Sequence, residues 1–247
     1  MPAKDGACGA RVSASVRVSV CLASFNGEAY IASQISSILE QLGNTDELII
    51  SDNGSTDSTL DIVYGFQDGR IRIFNCSVPG PVANFNHALM QARGEYIFLA
   101  DQDDIWYDSR LVQCLEQLAE CDLVVTDCKV VNEQLTPMYP SFFQLRGSGP
   151  GFYKNLLRNS YQGCCMAFNR RVLDASLPIP ANVPMHDWWI GLVAERVGRV
   201  CFLPVPLLFY RRHLDSASNT AGKTTAGWLT QLRWRWTLLR LLLGVGR

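Results

Sequence analysis

Three carboxylates fall within four residues at Asp101-Gln102-Asp103-Asp104, directly after the apolar run Tyr96-Ile97-Phe98-Leu99-Ala100. Carboxylates this close repel one another, so a site that keeps them together gains most when a hard divalent cation binds. Mg²⁺ or Mn²⁺ suits the cluster, because each takes oxygen ligands and leaves positions for diphosphate oxygens whose developing charge it neutralises. The plainer reading is an acidic loop that caps the next helix, and Asp104 or Asp108 fits that role. The preceding strand favours the ligand reading, since open α/β sheets bind ligands beyond the carboxyl ends of their strands.

A second acidic station, Ser51-Asp52-Asn53-Gly54-Ser55-Thr56-Asp57, also follows a short apolar run. Asp52 is placed to accept from a base N–H or a ribose hydroxyl, Gly54 permits a tight turn, and Ser55, Thr56 or Asp57 caps a helix. Three loops, at Ser24-Phe25-Asn26-Gly27, Asp52-Asn53-Gly54 and Asp101-Gln102-Asp103, are then expected at one sheet edge, with Phe25 available to pack on a base. Farther on, His186-Asp187-Trp188-Trp189 opens a helical pattern. The helix start lowers the pKa of Asp187, the tryptophans raise it by desolvation, and an N-cap aspartate with two core tryptophans is the structural alternative.

The elements that must position these residues alternate. Strands are predicted at Val16–Ala23, Glu47–Ser51, Arg70–Phe74, Tyr96–Ala100, Asp122–Thr126, Cys164–Phe168 and Arg199–Leu203. Helices are predicted near Glu28–Leu42, residues 57–66, Val82–Ala92, Ser109–Glu120 and His186–Arg196. The pattern implies an α/β fold with a Rossmann-like, doubly wound, mostly parallel central sheet. Residues Lys129 to Ser160, with Pro137, Pro140, Gly147, Gly149 and Pro150, are expected to form an irregular excursion shaping a second-substrate site.

At 247 residues one large domain is the default, expected over residues 15–215 after a loose leader at 1–14, with a linker and basic helix at 216–247. The net charge of −1 fits a globular enzyme better than a nucleic-acid binder. The charge is unevenly spread: from Arg211 onward seven basic residues accompany one acid, a balance of +6, against −7 for residues 1–210. Nine cysteines without a C-x-x-C pair read as reduced, buried thiols of a cytosolic protein. From Trp228 to Leu243 one helical stripe holds Leu229, Leu232, Trp236, Leu239 and Leu243, flanked by Arg233, Arg235 and Arg240. That amphipathic C-terminal helix suits the inner face of a cytoplasmic membrane as a peripheral anchor, and docking on the protein body is the alternative.

Taken in order and spacing, these motifs resemble the family 2 inverting glycosyltransferases of GT-A fold, over about residues 17–215. The matching residues are Val18 to Gly27, Asp52 to Asp57, Asn84-Phe85-Asn86, Asp101 to Trp106, Gly163-Cys164 to Asn169, His186 to Trp189 and Tyr210-Arg211-Arg212-His213. The wording of three of them is similar to bacterial rhamnosyltransferase-like members that build O-antigen and other surface polysaccharides. The resemblance implies a nucleotide-diphosphate sugar donor, a glycan or lipid-linked acceptor, and Mg²⁺ or Mn²⁺. Ser24, Phe25 and Asp52 would line the nucleoside pocket with Asn84 nearby. Asp101 would face the ribose or the metal, Asp103 would be the most direct metal ligand, and Asp187 would be the general base.

His213 would complete the metal shell, or Arg211 and Arg212 would clamp the diphosphate; a basic surface loop is the third possibility. Leu214 to Asn219 depart from the family pattern beyond this point. Two rivals stand beside this reading. A nucleotidyltransferase would want basic residues in the first loop, which Ser24-Phe25-Asn26-Gly27-Glu28 lacks. A non-catalytic partner in a polysaccharide assembly complex, either a membrane-associated scaffold or a sugar-nucleotide binder, would not need Asp103 and Asp187.

Overall fold

The computed structural model describes residues 16–212 and 227–245. The expected leader, the linker, His213 and the departure at Leu214 to Asn219 lie outside the described residues.

The first half of the chain runs β1 (Val18–Ser24), α1 (Ile31–Leu39), β2 (Glu47–Asp52), α2 (Thr59–Gly65), β3 (Ile71–Asn75), α3 (Pro81–Met90) and β4 (Tyr96–Asp101). Its four strands pair in parallel in the order β3-β2-β1-β4. Burial on both faces explains why β1, β2 and β4 are apolar runs rather than alternating ones. Register decides what happens at the edge: Ser24 pairs with Asp52, and Ala23 with Asp101, so the three loops leave the sheet at one level. Gly94 lies against the β1 backbone, where a Cβ would sit 2.6 Å from the Ser19 nitrogen. That close approach requires glycine.

The second half adds β5 (Ile105–Trp106), α4 (Arg110–Leu118), β6 (Leu123–Val131), β7 (Pro137–Tyr139), α5 (Phe142–Arg146), α6 (Phe152–Leu157), β8 (Met166–Asn169), α7 (Arg170–Ser176), α8 (His186–Val197), β9 (Val200–Arg211) and α9 (Trp228–Leu242). Strand β8 enters antiparallel between β4 and β6, and β9 lies parallel to β6. The sheet is therefore parallel on one side and mixed on the other. Strand β9 runs well past the expected Leu203, carrying Pro204 and Pro206 through register shifts against β6. Bulges of this kind absorb residues that have no N–H to give the ladder.

The excursion at 129–160 holds more regular structure than its prolines and glycines predict. Ser141 caps α5 by accepting from the Gln144 N–H at 3.1 Å, and Gly147 ends that helix at φ +64°. Buried Asp127 on β6 ties the helix down, accepting from the Ser141 hydroxyl at 2.5 Å and the Phe143 N–H at 3.0 Å.

Helix α9 docks on α6 and α8 through buried Leu238 and Leu242, with Trp234, Leu241 and Val245 partly buried. Arg235 donates twice to the Leu157 carbonyl, at 3.0 and 2.7 Å. The stripe Leu229, Leu232, Trp236, Leu239 and Leu243 stays exposed.

Candidate active site

The first loop is held by its neighbours. Gln102 accepts from the Phe25 N–H at 2.8 Å and donates to the Phe25 carbonyl at 2.9 Å, so one amide clamps both backbone groups. A Cβ at Gly27 would overlap that same amide. Asn26 takes φ +46° and accepts from the Thr56 N–H at 2.9 Å, joining this loop to the second. Phe25 itself is 55 % exposed, with its ring open to a ligand. Gln102→Ala removes both clamp bonds, so amide exchange at Phe25 is expected to speed by about tenfold or more. Hydrogen exchange checks this, and unchanged protection at Phe25 would show that the clamp is dispensable.

Asp52 and Ser24 are placed differently from the sequence expectation. Asp52 is buried, and its carboxylate accepts from the Ser24 hydroxyl (2.9 Å), the Gly54 N–H (3.0 Å), the Ser55 N–H (2.8 Å) and the Ser55 hydroxyl (2.6 Å). Its oxygens are committed to shaping the turn at Gly54, whose φ is +82°. Asn84, on α3, donates to the Ser24 carbonyl at 3.0 Å, and its own side-chain oxygen is buried without a partner. Of the four residues expected at the nucleoside, only Phe25 presents an open side chain.

The carboxyl cluster forms where β4 ends. Ligand atoms of Asp101, Asp104 and Cys164 lie within 4.8 Å of one another. Burial, then the charges of Asp103 and Asp187, push Asp101 up to about 7. Asp104 is raised well above the ordinary carboxylate range, by burial and then by Asp103 and Asp101. One Asp104 oxygen accepts from the Arg211 N–H at 3.1 Å, and the other is buried without a partner. Burial also holds the Cys164 thiol protonated, and its hydrogen bonding partly opposes the rise in both acids. Buried oxygens that ionise at a cost and one that lacks a partner fit a hard divalent cation. The structure thus draws Asp104 in beside Asp101, whereas the sequence pointed to Asp103 as the direct ligand and to a capping role for Asp104.

Arg211 is also placed differently from a diphosphate clamp. Only 7 % exposed, it donates to the Asp103 carbonyl at 2.9 Å and the Glu133 carbonyl at 2.6 Å, with its guanidinium 4.9 Å from the Tyr30 ring centroid. It pins the acidic loop to β9 and to α1's entry. Nothing at the level of sequence distinguished it from Arg212, which is half-buried.

Asp187 lies in the first turn of α8. Trp188 and Trp189 are buried, their indole N–H groups donating to the Asn155 carbonyl (2.7 Å) and the Ser176 carbonyl (2.9 Å). Burial raises Asp187 to about 6, outweighing hydrogen bonds from the Trp188 N–H and the Asn159 amide. Desolvation therefore defeats the helix terminus. His186 stacks on Phe85 at 4.0 Å between centroids, and burial lowers it to about 3, so the imidazole is neutral. That stack joins α8 to α3. Arg146 lies close enough to Arg158 and Arg212 that, after burial, their charges lower its pKa, while Asp187 acts oppositely. Arg146 and Arg158 both come from the excursion.

A model of glycosyl transferase family 2 matches residues 19–177. The chain belongs to glycosyl transferase family 2. It is a glycosyltransferase, and the sheet and its edge loops are those of a GT-A fold. It is 25 % identical over 234 residues to the Escherichia coli UDP-Glc:alpha-D-GlcNAc-diphosphoundecaprenol beta-1,3-glucosyltransferase WfgD, covering 90 % of this chain and 85 % of the relative. It is 25 % identical over 243 residues to the Shigella flexneri dTDP-rhamnosyl transferase RfbG, covering 87 % and 80 %. Among solved structures, S. aureus TarS 1-349 in complex with UDP-GlcNAc superposes with a TM-score of 0.69 at 18 % identity, over 94 % of this chain and 68 % of that one. Mycobacterium tuberculosis glucosyl-3-phosphoglycerate synthase with Mn²⁺, UDP and glucosyl-3-phosphoglycerate gives 0.59 at 20 % identity, over 94 % and 81 %.

Proposed function

We propose that the enzyme transfers a sugar, with inversion, from a nucleotide-diphosphate donor to a hydroxyl of a glycan or lipid-linked acceptor during assembly of a cell-surface polysaccharide, at the cytoplasmic face of a membrane. The observation that carries this reading is the acidic cluster of Asp101 and Asp104 where β4 ends, within range of the charge of Asp187, a buried carboxyl from far along the chain. Asp101, with Asp104 and Asp103, would hold Mg²⁺ or Mn²⁺, which when bound supplies neutralisation of the departing nucleoside diphosphate. Asp187 takes the proton from the acceptor hydroxyl, and a single base without a second nucleophilic carboxylate gives direct displacement and inversion. Phe25 packs on the base, and the clamped backbone around it forms the nucleoside pocket with the turn at Asp52.

The donor we favour is dTDP-L-rhamnose, on the likeness to RfbG and the wording of the Asp101, His186 and Tyr210 motifs. WfgD is as similar and carries a UDP-Glc name, so the test must hold both donors. Arg146, within range of Asp187 and of the charges of Arg158 and Arg212, suits an acceptor bearing phosphate. His213 remains the candidate for completing the metal shell.

A thermal-shift panel of dTDP-, UDP- and GDP-sugars, each with Mn²⁺ and with EDTA, tests the reading. One donor at a hundredfold excess over its Kd is expected to raise the melting temperature by about 5–10 °C with Mn²⁺ and to do nothing with EDTA. No response to any donor would point to the scaffold alternative.

A further inference from the structure

We infer that α9 and the end of α6 form a single bilayer-docking surface for anionic lipid. Helix α9 carries two apolar faces. At about 100° per residue, Trp234, Leu238, Leu241, Leu242 and Val245 cluster on one side, and Leu229, Leu232, Trp236, Leu239 and Leu243 on nearly the opposite one. The first set is what packs on α6 and α8; the second is exposed, with Trp236 at 68 %. Docking on the body, which would ordinarily use up a helix's apolar stripe, leaves this one outward.

The surface continues onto α6. Tyr153 and Leu157 are exposed there, and Arg235 of α9 holds the Leu157 carbonyl through two hydrogen bonds, fixing the helices together. Charge decides the occupant. Arg233 and Arg240 are exposed on one flank of the stripe, Arg235 and Trp228 lie on the other, and α9 contains no acid. A second copy of this chain would set arginine against arginine across such a face. An anionic leaflet instead takes guanidiniums at its phosphates, tryptophans at its interface and leucines below. Among the described residues no helix is long and apolar enough to cross a membrane, so this contact is peripheral.

The surface also has a direction. Leu157 is followed by Arg158 and Asn159, and Asn159 donates to Asp187 at 3.3 Å. Two residues therefore connect the lipid-facing end of α6 to the proposed base. This deepens the membrane side of the function proposed above, and its test does not depend on turnover.

Co-sedimentation of the full chain with phosphatidylcholine vesicles, with and without phosphatidylglycerol, is the experiment. Binding is expected with phosphatidylglycerol, weakening as salt rises. Leu232→Ser with Trp236→Ser, and separately Arg233→Glu with Arg240→Glu, are each expected to weaken it by about tenfold or more, with the fold intact by circular dichroism. A wild-type chain that stays in the supernatant, or variants that bind as well as wild type, would overturn the proposal. A dimer mass by light scattering that Trp236→Ser reduces to a monomer would assign the face to a second copy and also overturn it. The donor-dependent thermal shift separates this outcome from a failure of the catalytic reading, since neither variant touches the donor site.

Discussion

Asp187→Asn is expected to lower kcat by about a thousandfold while leaving donor affinity within about twofold of wild type. The isosteric amide keeps the acceptor oxygen that takes the Trp188 N–H at 2.6 Å and the Asn159 amide, so α8 should start where it does now. What it loses is the ability to accept a proton from the acceptor. The pH profile gives the sign: with the carboxyl raised to about 6 by burial, the base is protonated and inactive below that pH, and kcat/KM rises as pH passes through about 6. That limb should be absent from the residual activity of the variant. Full activity in Asp187→Asn would remove the residue from the role of base.

Asp101→Asn is expected to abolish activity and to stabilise the metal-free protein. A carboxyl raised to about 7 binds a proton more tightly folded than unfolded. Its contribution to stability is fully present below about pH 4 and is lost as pH rises towards 7. Above that, the buried charge costs roughly 2–4 kcal/mol, or about 5–10 °C in melting temperature for a chain of this size. The wild type without metal should therefore melt lower at pH 8 than at pH 5.5, and the variant should show a flatter dependence and melt higher at pH 8. Mn²⁺ should raise the wild type at pH 8 and leave the variant unmoved. A variant no more stable than wild type would show that the carboxyls are not held in conflict. A site that costs stability until its ligand arrives is common where binding is the function.

Much of the fold was legible in the sequence. Continuous apolar runs followed by acidic or small polar residues marked the strands and the edge at which ligands bind, because a strand covered on both faces admits few polar residues until it emerges. The α9 stripe was legible for the same reason of period. Short helices in the excursion were less so: α5 has five residues and α6 six, too few for a period to show among prolines and glycines. Helix α7 was missed as well, since its charged first turn follows directly on β8.

Residue roles needed the third dimension. The acidic cluster could be read as a cation site from its residue types, because few side chains hold a hard cation, whereas the proposed part of Asp187 as base came from the family resemblance. Which of them faces a ligand depended on who else arrives: Asp52 is occupied by its own turn, Arg211 by carbonyls of the loops it joins, and Asp104 by a cluster that includes a cysteine from far along the chain. At Arg211 and Asp104 the hydrogen bonds and burial are made by partners dozens of residues away, and local sequence carries no record of them. The sequence by itself determined a parallel sheet edge rich in carboxylates, a buried-looking aspartate at a helix start and an amphipathic arginine-flanked helix. Tertiary structure alone decided that Asp187 is desolvated and that α9 docks on one face while leaving the other exposed, since both follow from which surfaces the fold brings into contact.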